Sequence, residues 1–362
     1  MTAVIFEGGN PQSEMEKAIL PIRKASCLDT IENIMGLPEL YDQVILATNY
    51  HDLAEAAQNL GASVFCTRIE GFHFGEIIRE LVVSNHLKTV LYMSGAGNPL
   101  LDKEGLTDIA IHLLSRPSVI YTNNVWASDI VGWSPGGAIN QSQVPQLDNA
   151  LAWSLHTGAS LPYFHMPFKK EYQMDIDAPA DVLLLKSISL KTSRLAKSIL
   201  DFPWSNLKYN LLIESLRTHG LKLWISGRIS GDTISYLNTY LNARLRVVSE
   251  ERGMKSQNQA NYVQSFLGAF INNIGLAKFI HYLENCADIA VIDARPIFAH
   301  FKLHPSQEDL FHSNLGEWRA VKDPFIREFT RATEEAKIPI ITGGHSLVKG
   351  GILALVDAAK DK

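Results

Sequence analysis

The chain has 362 residues, of which 46% are hydrophobic and 20% charged, and its formal net charge is −5 at pH 7. A chain of this length exceeds the size at which one hydrophobic core usually stops growing, so two domains are predicted. The small negative charge provides no field that would attract nucleic acid or an anionic membrane, and both are excluded as partners. No apolar run reaches the ~18 residues that a membrane-spanning helix needs.

The three cysteines, Cys27, Cys66 and Cys286, lie far apart and form no C-x-x-C pair. This spacing is typical of free thiols in a reducing compartment rather than of a disulfide framework. The N-terminus runs directly into an apolar strand, without the basic flank and cleavage site of a signal peptide. The sequence therefore predicts a cytoplasmic protein.

Short apolar runs alternate with helix-length amphipathic segments through the first half of the chain. This pattern is typical of βαβ units and a mostly parallel sheet. Strands are predicted at residues 3–6, 44–48, 63–67, 89–93, 118–122 and 161–167. The Gly-, Pro- and Gln-rich residues 132–146 are expected to form a loop.

The second half begins with a helical stretch that is interrupted at residues 202–204 by Phe-Pro-Trp. Four further apolar strands follow, in the segments LKLWISGRIS, LRVVSEERGM, DIAVIDARPIFAH and IPIITGGHSLV. The predicted fold class is α/β. A Rossmann-like, mostly parallel domain covers residues 1–187, a helical linker covers 188–220, and a second α/β domain covers 221–362.

A glycine pair, Gly8 and Gly9, follows the first predicted strand, and Lys17 comes shortly after it. Glycines at the end of a strand allow backbone N–H groups to approach phosphate without a Cβ in the way. A nearby lysine adds a positive charge for a triphosphate. The segment is therefore a candidate phosphate-binding loop.

Two carboxylates at alternate positions, Asp175 and Asp177, lie just before a predicted helix. In an extended segment residues i and i+2 point the same way, so both carboxylates are candidates for one Mg²⁺. Helix capping is the alternative. Asp177 precedes Pro179 as an N-cap would, and Asp181 suits the positive end of the helix dipole.

Three segments in order, GG with KAILPI, MSGAGNPLL near residue 95 and DIDAPADV near residue 177, resemble one known family. They are similar to nucleotidyltransferases of the glycosyltransferase-A-like (nucleotide-diphospho-sugar transferase) fold. The members concerned act on sugar 1-phosphates, molybdenum cofactor and cobinamide phosphate, the last two as guanylyltransferases. The resemblance covers residues 1–187 only, and the second domain resembles no family that we recognise.

The resemblance implies Mg²⁺-dependent transfer of a nucleoside monophosphate from an NTP to a phosphorylated small molecule, with release of pyrophosphate. Gly8 and Gly9 would bind the nucleotide phosphates. Lys17 and Asp177 would be catalytic, with Lys17 on phosphate and Asp177, together with Asp175, on the metal.

Two departures from the family pattern affect the site. Residues 10–16 contain no basic residue. Residues 95–99 read GAGNP, with no Asp at position 96, so Asn98 is a neutral substitute and the expected Mg²⁺ site is weakened. Asp129 is a candidate replacement ligand. Asn123 is a candidate for recognising base, sugar or acceptor, unless it serves an Asx turn.

In the second domain, each apolar strand is followed by charged residues, Gly or His. Parallel strands would bring these loops to one edge of the sheet. Three arginines there favour an anionic ligand, because the guanidinium pairs with phosphate or carboxylate through two hydrogen bonds. They are Arg228, Arg252 and Arg295.

After the last strand, Gly343, Gly344 and Ser346 would present backbone and hydroxyl donors to phosphate. His345 is the candidate for general acid–base chemistry. Two other interpretations stay open. One is a structural ion-pair network of Glu250, Glu251, Arg252 and Arg295 between domains or subunits. The other is a metal site at Asp293, His300 and His345. Residues 304–322 are expected to form a long polar surface connection, with a lid or an oligomer contact as the alternatives.

Three functional hypotheses follow from these patterns. The first is a nucleotidyltransferase with an accessory anion-binding domain. The second is a degenerate domain that binds a nucleotide or sugar nucleotide without transfer, any chemistry lying in the C-terminal domain. The third is a non-catalytic assembly protein, which forms a homo-oligomer through its Arg and Glu loops.

Overall fold

The computed structural model describes residues 1–191, 193–250 and 263–360. Contacts divide the chain into two compact units. The first comprises Met1–Pro11 and Pro21–Asp175, and the second comprises Gln12–Leu20 and Ile176–Lys362. The predicted α/β class is confirmed in both units. The predicted folding domains, 1–187 and 221–362 with a linker between them, stay a prediction.

The first unit contains a seven-stranded sheet in the order β3-β2-β1-β4-β6-β5-β7. Only β6 runs antiparallel to its neighbours, so the prediction of a mostly parallel sheet is confirmed. Its strands are β1 (Thr2–Phe6), β2 (Gln43–Thr48), β3 (Ser63–Cys66), β4 (Val90–Ser94), β5 (Val119–Thr122), β6 (Ile130–Ser134) and β7 (Tyr163–His165). The loop predicted at residues 132–146 is wrong at its start, because β6 extends to Ser134.

Helices cover both faces of this sheet, because side chains alternate along each strand. Ala3 and Ile5 of β1 belong to one hydrophobic core, and Val4 belongs to the other. The first core is packed by α1, α2 and α4, and the second by α3 and α5. These helices, with the short α6, are α1 (Glu14–Met35), α2 (His51–Asn59), α3 (Phe74–Ser84), α4 (Lys103–Leu114), α5 (Leu151–Ala159) and α6 (Lys170–Gln173).

The second unit contains a four-stranded sheet in the order β11-β10-β8-β9, and all its pairings are parallel. Its strands lie in the four predicted segments: β8 (Lys222–Gly227), β9 (Arg244–Ser249), β10 (Ile289–Asp293) and β11 (Ile340–Gly343). Because the four strands are parallel, the loops that follow them lie at the same edge of the sheet, as the sequence predicts.

The helices of the second unit pack on both faces of its sheet. Ala290 and Ile292 of β10 face a core formed with α11–α15. The helices are α7 (Pro179–Ser187), α8 (Arg194–Leu200), α9 (Leu207–Leu216), α10 (Gly231–Tyr240), α11 (Phe266–Ile274), α12 (Leu276–Cys286), α13 (Arg295–His300), α14 (Gln307–Leu315), α15 (Pro324–Glu334) and α16 (Gly350–Lys360).

The polar connection expected at residues 304–322 is wrong in its middle, where α14 forms. Ser306 caps this helix by accepting a hydrogen bond from the Asp309 N–H at 3.0 Å. Leu310 and Phe311 of α14 are buried. The segment therefore contributes to the core.

The strand order reverses between β1 and β4 in the first sheet and between β8 and β10 in the second. Ligands of open α/β sheets bind outside the carboxyl ends of the strands at such a reversal. Both reversals are therefore candidate ligand-binding positions. Among the described residues, no helix is both long enough and apolar enough to span a membrane.

Candidate functional sites

Two aspartates lie close together at the carboxyl end of β4. Met93 of β4 pairs with Ile130 of β6, which places Asp129, the residue before β6, at this end of the strand. Asp175 forms an antiparallel bridge with Gly97, just beyond the end of β4. The two carboxylates have oxygens within 4.8 Å of one another, and Asp175 is 8% exposed. The first-unit reversal thus carries a pair of carboxylates.

Asn123 positions one member of this pair. Its side-chain amide donates to Oδ2 of Asp129 at 3.0 Å, and its Oδ1 accepts from the Asp129 N–H at 3.1 Å. The same amide donates to the Tyr172 carbonyl at 2.9 Å, and Asn149 donates to Oδ1 of Asp129 at 3.4 Å. Asn123 is buried and serves the turn before β6. These contacts match the alternative of internal turn chemistry.

Asn98 is buried at the same corner as Asp175. Its backbone N–H donates to the Met174 carbonyl at 2.8 Å, and its side-chain amide donates to the Glu171 carbonyl at 3.2 Å. Its φ of 53° is left-handed, a conformation that asparagine tolerates. Within the described residues, its Oδ1 is buried without a hydrogen-bond partner. A buried amide oxygen without a partner is costly unless a ligand completes it.

The predicted phosphate-binding glycines are held by Asn49. The Gly9 N–H donates to Oδ1 of Asn49 at 2.8 Å, and the Asn49 amide donates to the Gly9 carbonyl at 2.9 Å. A Cβ on Gly8 would lie 2.5 Å from the same Oδ1, so only glycine permits this approach. Sequence analysis missed Asn49, although its place directly after the neighbouring strand β2 was a usable signal.

A buried ion pair, which sequence analysis also missed, lies beside these glycines. Nε of Arg23 donates to Oε1 of Glu7 at 3.0 Å, and Nη2 donates to Oε2 at 3.3 Å. The Glu7 side chain is fully buried, and that of Arg23 is 29% exposed. A Cβ on Gly95 would lie 2.5 Å from Cβ of Glu7. The pair therefore lies between the ends of β1 and β4.

Lys17 and Asp177 belong to the second compact unit. Lys17 is exposed, and its Nζ lies 2.7 Å from Oε1 of Glu14. Asp177 is also exposed. Oδ2 of Asp181 accepts from the Asp177 N–H at 3.0 Å and from the Ala178 N–H at 2.9 Å. The interpretation of Asp177 as N-cap is thus wrong, since Ala178 is the N-cap and Asp181 satisfies the free N–H groups.

The second-unit reversal contains a bidentate ion pair between the ends of β8 and β10. Nε of Arg228 lies 2.7 Å from Oδ2 of Asp293, and Nη2 lies 3.1 Å from Oδ1. The Asp293 side chain is fully buried, and that of Arg228 is 21% exposed. Burial acts to raise the pKa of Asp293, but the charge and hydrogen bonds of Arg228, and then the charge of His345, hold that pKa below its ordinary value.

Gly227 makes this pairing possible. Its φ is 124°, and a Cβ there would lie 2.3 Å from Cβ of Asp293. We expect Gly227→Ala to reduce the free energy of unfolding by roughly 1–3 kcal/mol, through backbone strain and overpacking. Chemical denaturation measures the loss. Gly231→Ala is the matched control, because no atom lies within 4 Å of its added Cβ. Equal stability of the two variants would contradict the role given to Gly227.

Arg295 lies two residues beyond β10 and is half-buried. Its backbone N–H donates to Oδ1 of Asp293 at 3.2 Å. Its guanidinium has no hydrogen-bond or ion-pair partner in the part of the chain that the structure describes. Burial, and then the charge of Arg228, lower the pKa of Arg295, while Asp293, Asp177 and Asp181 act in the opposite direction.

The loop after β11 borders the same edge. Gly343 pairs with Asp293 in the sheet, and a Cβ on Gly344 would meet no atom within 4 Å. His345 is near enough for its charge to lower the pKa of Asp293. Ser346 is buried at the start of a 3₁₀ turn. The structure thus brings three of the four predicted loops of this domain together.

The fourth loop, after β9, has a structural role at its first residue. Oε1 of Glu250 accepts from the Ser265 hydroxyl at 2.7 Å and from the Leu267 N–H at 3.2 Å. Glu250 is buried and thereby caps α11. Arg252 lies outside the described residues. Among the described residues, Glu250 and Arg295 form no ion pair, and the part of the suggested network that involves Glu251 and Arg252 stays a prediction.

His300 is likewise structural. Its Nδ1 accepts from the Ser265 N–H at 3.3 Å, and its ring packs against Gly268. Asp293 is engaged by Arg228. Across the described residues, the suggested metal set of Asp293, His300 and His345 does not form a cluster.

No protein-family model and no curated protein matches the chain. Among solved structures it is similar to a cytidylyltransferase from Leptospira borgpetersenii, with 15% identity, a TM-score of 0.40, and coverage of 56% of this chain and 94% of the other. A nucleotidyl transferase from Methanothermobacter thermautotrophicus has 13% identity, a TM-score of 0.38, and coverage of 51% and 94%. The glycosyltransferase GlyE from Streptococcus pneumoniae has 10% identity, a TM-score of 0.33, and coverage of 94% and 90%. Since these scores are low, the fold assignment rests on strand order and register.

Proposed function

We propose that the protein is a Mg²⁺-dependent nucleotidyltransferase that transfers a nucleoside monophosphate from an NTP to a phosphorylated small molecule. The observation that supports this best is the Asp129–Asp175 pair at the strand-order reversal of the first sheet. Carboxylates brought this close repel each other unless a proton or a cation offsets their charge. A reversal of this kind is also where nucleotides bind in open α/β sheets.

The chemistry of these donors fits a hard divalent cation. Asp129 and Asp175 offer carboxylate oxygens, which Mg²⁺ prefers. Asn98 offers a buried amide oxygen that has no hydrogen-bond partner within the described residues. Asp129 would supply the carboxylate that residues 95–99 lack. A bound Mg²⁺ would offset the charge of the nucleotide phosphates.

The protein's own residues would mainly position the reactants. Asn123 and Asn149 fix the carboxylate of Asp129, and Asn49 fixes the glycine turn after β1. Positioning of this kind suits phosphoryl chemistry, in which no covalent nucleophile is needed. The roles of Lys17 on phosphate and Asp177 on the metal rest on the sequence resemblance alone.

Ligand-dependent thermal stabilisation tests this proposal. The four NTPs are compared with and without Mg²⁺, beginning with GTP, because the resemblance includes guanylyltransferases. A nucleotide at about 100 times its Kd should stabilise the fold by roughly 2.7 kcal/mol. The NTP that binds is then assayed for pyrophosphate release with phosphorylated acceptors. Absence of any Mg²⁺-dependent stabilisation would contradict the proposal.

A second candidate function is nucleotide or sugar-nucleotide binding without transfer. The observation in its favour is that the Gly9 N–H, a predicted phosphate donor, already donates to Asn49. Stabilisation by a sugar nucleotide without pyrophosphate release from any NTP would support this function over transfer.

A further inference from the structure

The second unit contains a cationic side chain that forms no hydrogen bond or ion pair with any other described residue. The guanidinium of Arg295 is half-buried beyond the end of β10, and burial lowers its pKa. Among the described residues, no carboxylate or carbonyl hydrogen-bonds it. Buried charges in proteins are normally paired, because losing hydration without a partner is costly. Arg295 therefore lacks a partner of the kind that a ligand supplies.

The described carboxylates near Arg295 form no hydrogen bond with its guanidinium, and two of them bind other groups. Asp293 binds Arg228 through both oxygens, and Oδ2 of Asp181 accepts two backbone N–H groups. Asp293, Asp177 and Asp181 act on Arg295 through space, and their charges offset part of the lowering of its pKa that burial and Arg228 cause. Arg228 is held in place by its pairing with Asp293. Among the described residues, Arg295 is therefore the arginine at this edge that is left for a ligand.

The position of Arg295 also indicates a ligand. It lies at the reversal between β8 and β10, the place where open parallel sheets bind small molecules. On the neighbouring strand, the added Cβ of Gly344 would meet only open space, so the loop after β11 leaves room beside this edge. The planar guanidinium donates two parallel hydrogen bonds to a phosphate or carboxylate.

We infer that the second unit binds a small oxyanion of the phosphate type on Arg295, with the Arg228–Asp293 pair as the scaffold. We expect this site to prefer a phosphate monoester, which carries a charge of about −1.5 to −2 at pH 7, to a singly charged carboxylate.

Binding of inorganic phosphate to the full-length protein tests the inference. Calorimetry and thermal stability are measured at constant ionic strength with EDTA present, so that metal-dependent binding in the first unit does not contribute. Phosphate should bind the wild type, and acetate should bind more weakly. Arg295→Met should weaken phosphate binding about tenfold or more, because hydrogen bonds to a charged group are lost. Absence of phosphate binding to the wild type would overturn the inference.

Two further variants separate ligand binding from a structural role. Arg331→Met is the matched control, because Arg331 is an exposed arginine paired with Glu328 in the same unit. It should bind phosphate as the wild type does. Arg295→Lys keeps the charge without the planar fork and should show intermediate affinity. Without phosphate, Arg295→Met should be as stable as the wild type. A less stable Arg295→Met protein with unchanged phosphate affinity would overturn the inference.

Discussion

Arg228→Met is expected to lower the free energy of unfolding by about 3–5 kcal/mol at neutral pH. The substitution keeps most of the side-chain volume but leaves the Asp293 carboxylate, whose side chain is fully buried, without its counter-charge. Removing one partner of a buried pair is strongly destabilising, because the remaining charge is uncompensated. Chemical denaturation at pH 7 measures the loss.

The pH dependence of this loss gives a second check. The wild-type pKa of Asp293 lies below its ordinary value, so its contribution to stability is present above the unfolded-state pKa of about 3.9 and is lost as pH falls through the folded-state pKa. Without Arg228, burial alone raises that pKa. The deficit of Arg228→Met should therefore shrink as pH falls from 7 towards 4.

The double variant Arg228→Met, Asp293→Leu is the control. Replacing both partners removes the buried charge, so the double variant should be more stable than Arg228→Met alone. A single variant as stable as the wild type would mean that the pair does not determine the stability of this unit.

Asp175→Asn is expected to reduce Mg²⁺-dependent turnover, measured as pyrophosphate release, by at least about 100-fold. Even residues that only support a metal ligand typically cost 10–100-fold when they are changed. The substitution is nearly isosteric and removes one of the two carboxylates whose oxygens lie within 4.8 Å.

Asp52→Asn provides the matched control for this experiment. Asp52 is exposed on α2 and pairs with Lys24, so its loss should change neither turnover nor stability by more than a small amount. If Asp175→Asn and Asp52→Asn retained equal activity, Asp175 would not belong to the metal site.

Much of the fold could be predicted because its strands are short apolar runs with clear ends. The exception was β6, whose Gly132 and following Pro135 and Gly136 are typical of a loop. A Cβ on Gly132 would lie 2.3 Å from Leu113, so the packing of α4 against β6 requires glycine at this position. The same glycine makes the segment look like a loop in the sequence. Likewise α14 follows a proline and is rich in polar residues, and only tertiary packing shows that its apolar residues are buried.

The candidate sites were predicted in part. Two carboxylates at alternate positions before a helix made Asp175 a candidate ligand, and Asp129 was a candidate replacement for the carboxylate that residues 95–99 lack. The structure places both near the carboxyl end of β4. Sequence spacing did not identify the contact of Asn49 with Gly9, which joins residues 40 positions apart. Nor did it show that Arg228 forms an ion pair with Asp293, whereas the Arg295 guanidinium has no hydrogen-bond or ion-pair partner among the described residues. Pairings between distant residues depend on strand register, which sequence periodicity leaves open.

The path of the chain between the two compact units has a consequence for biosynthesis. Residues 12–20, near the start of the chain, belong to the unit that otherwise begins at Ile176. This unit therefore reaches its full composition only after the ribosome has made its C-terminal strands and helices. Expression of residues 176–362 alone would omit a native segment, and supplying a peptide of residues 12–20 in trans should restore part of the lost stability.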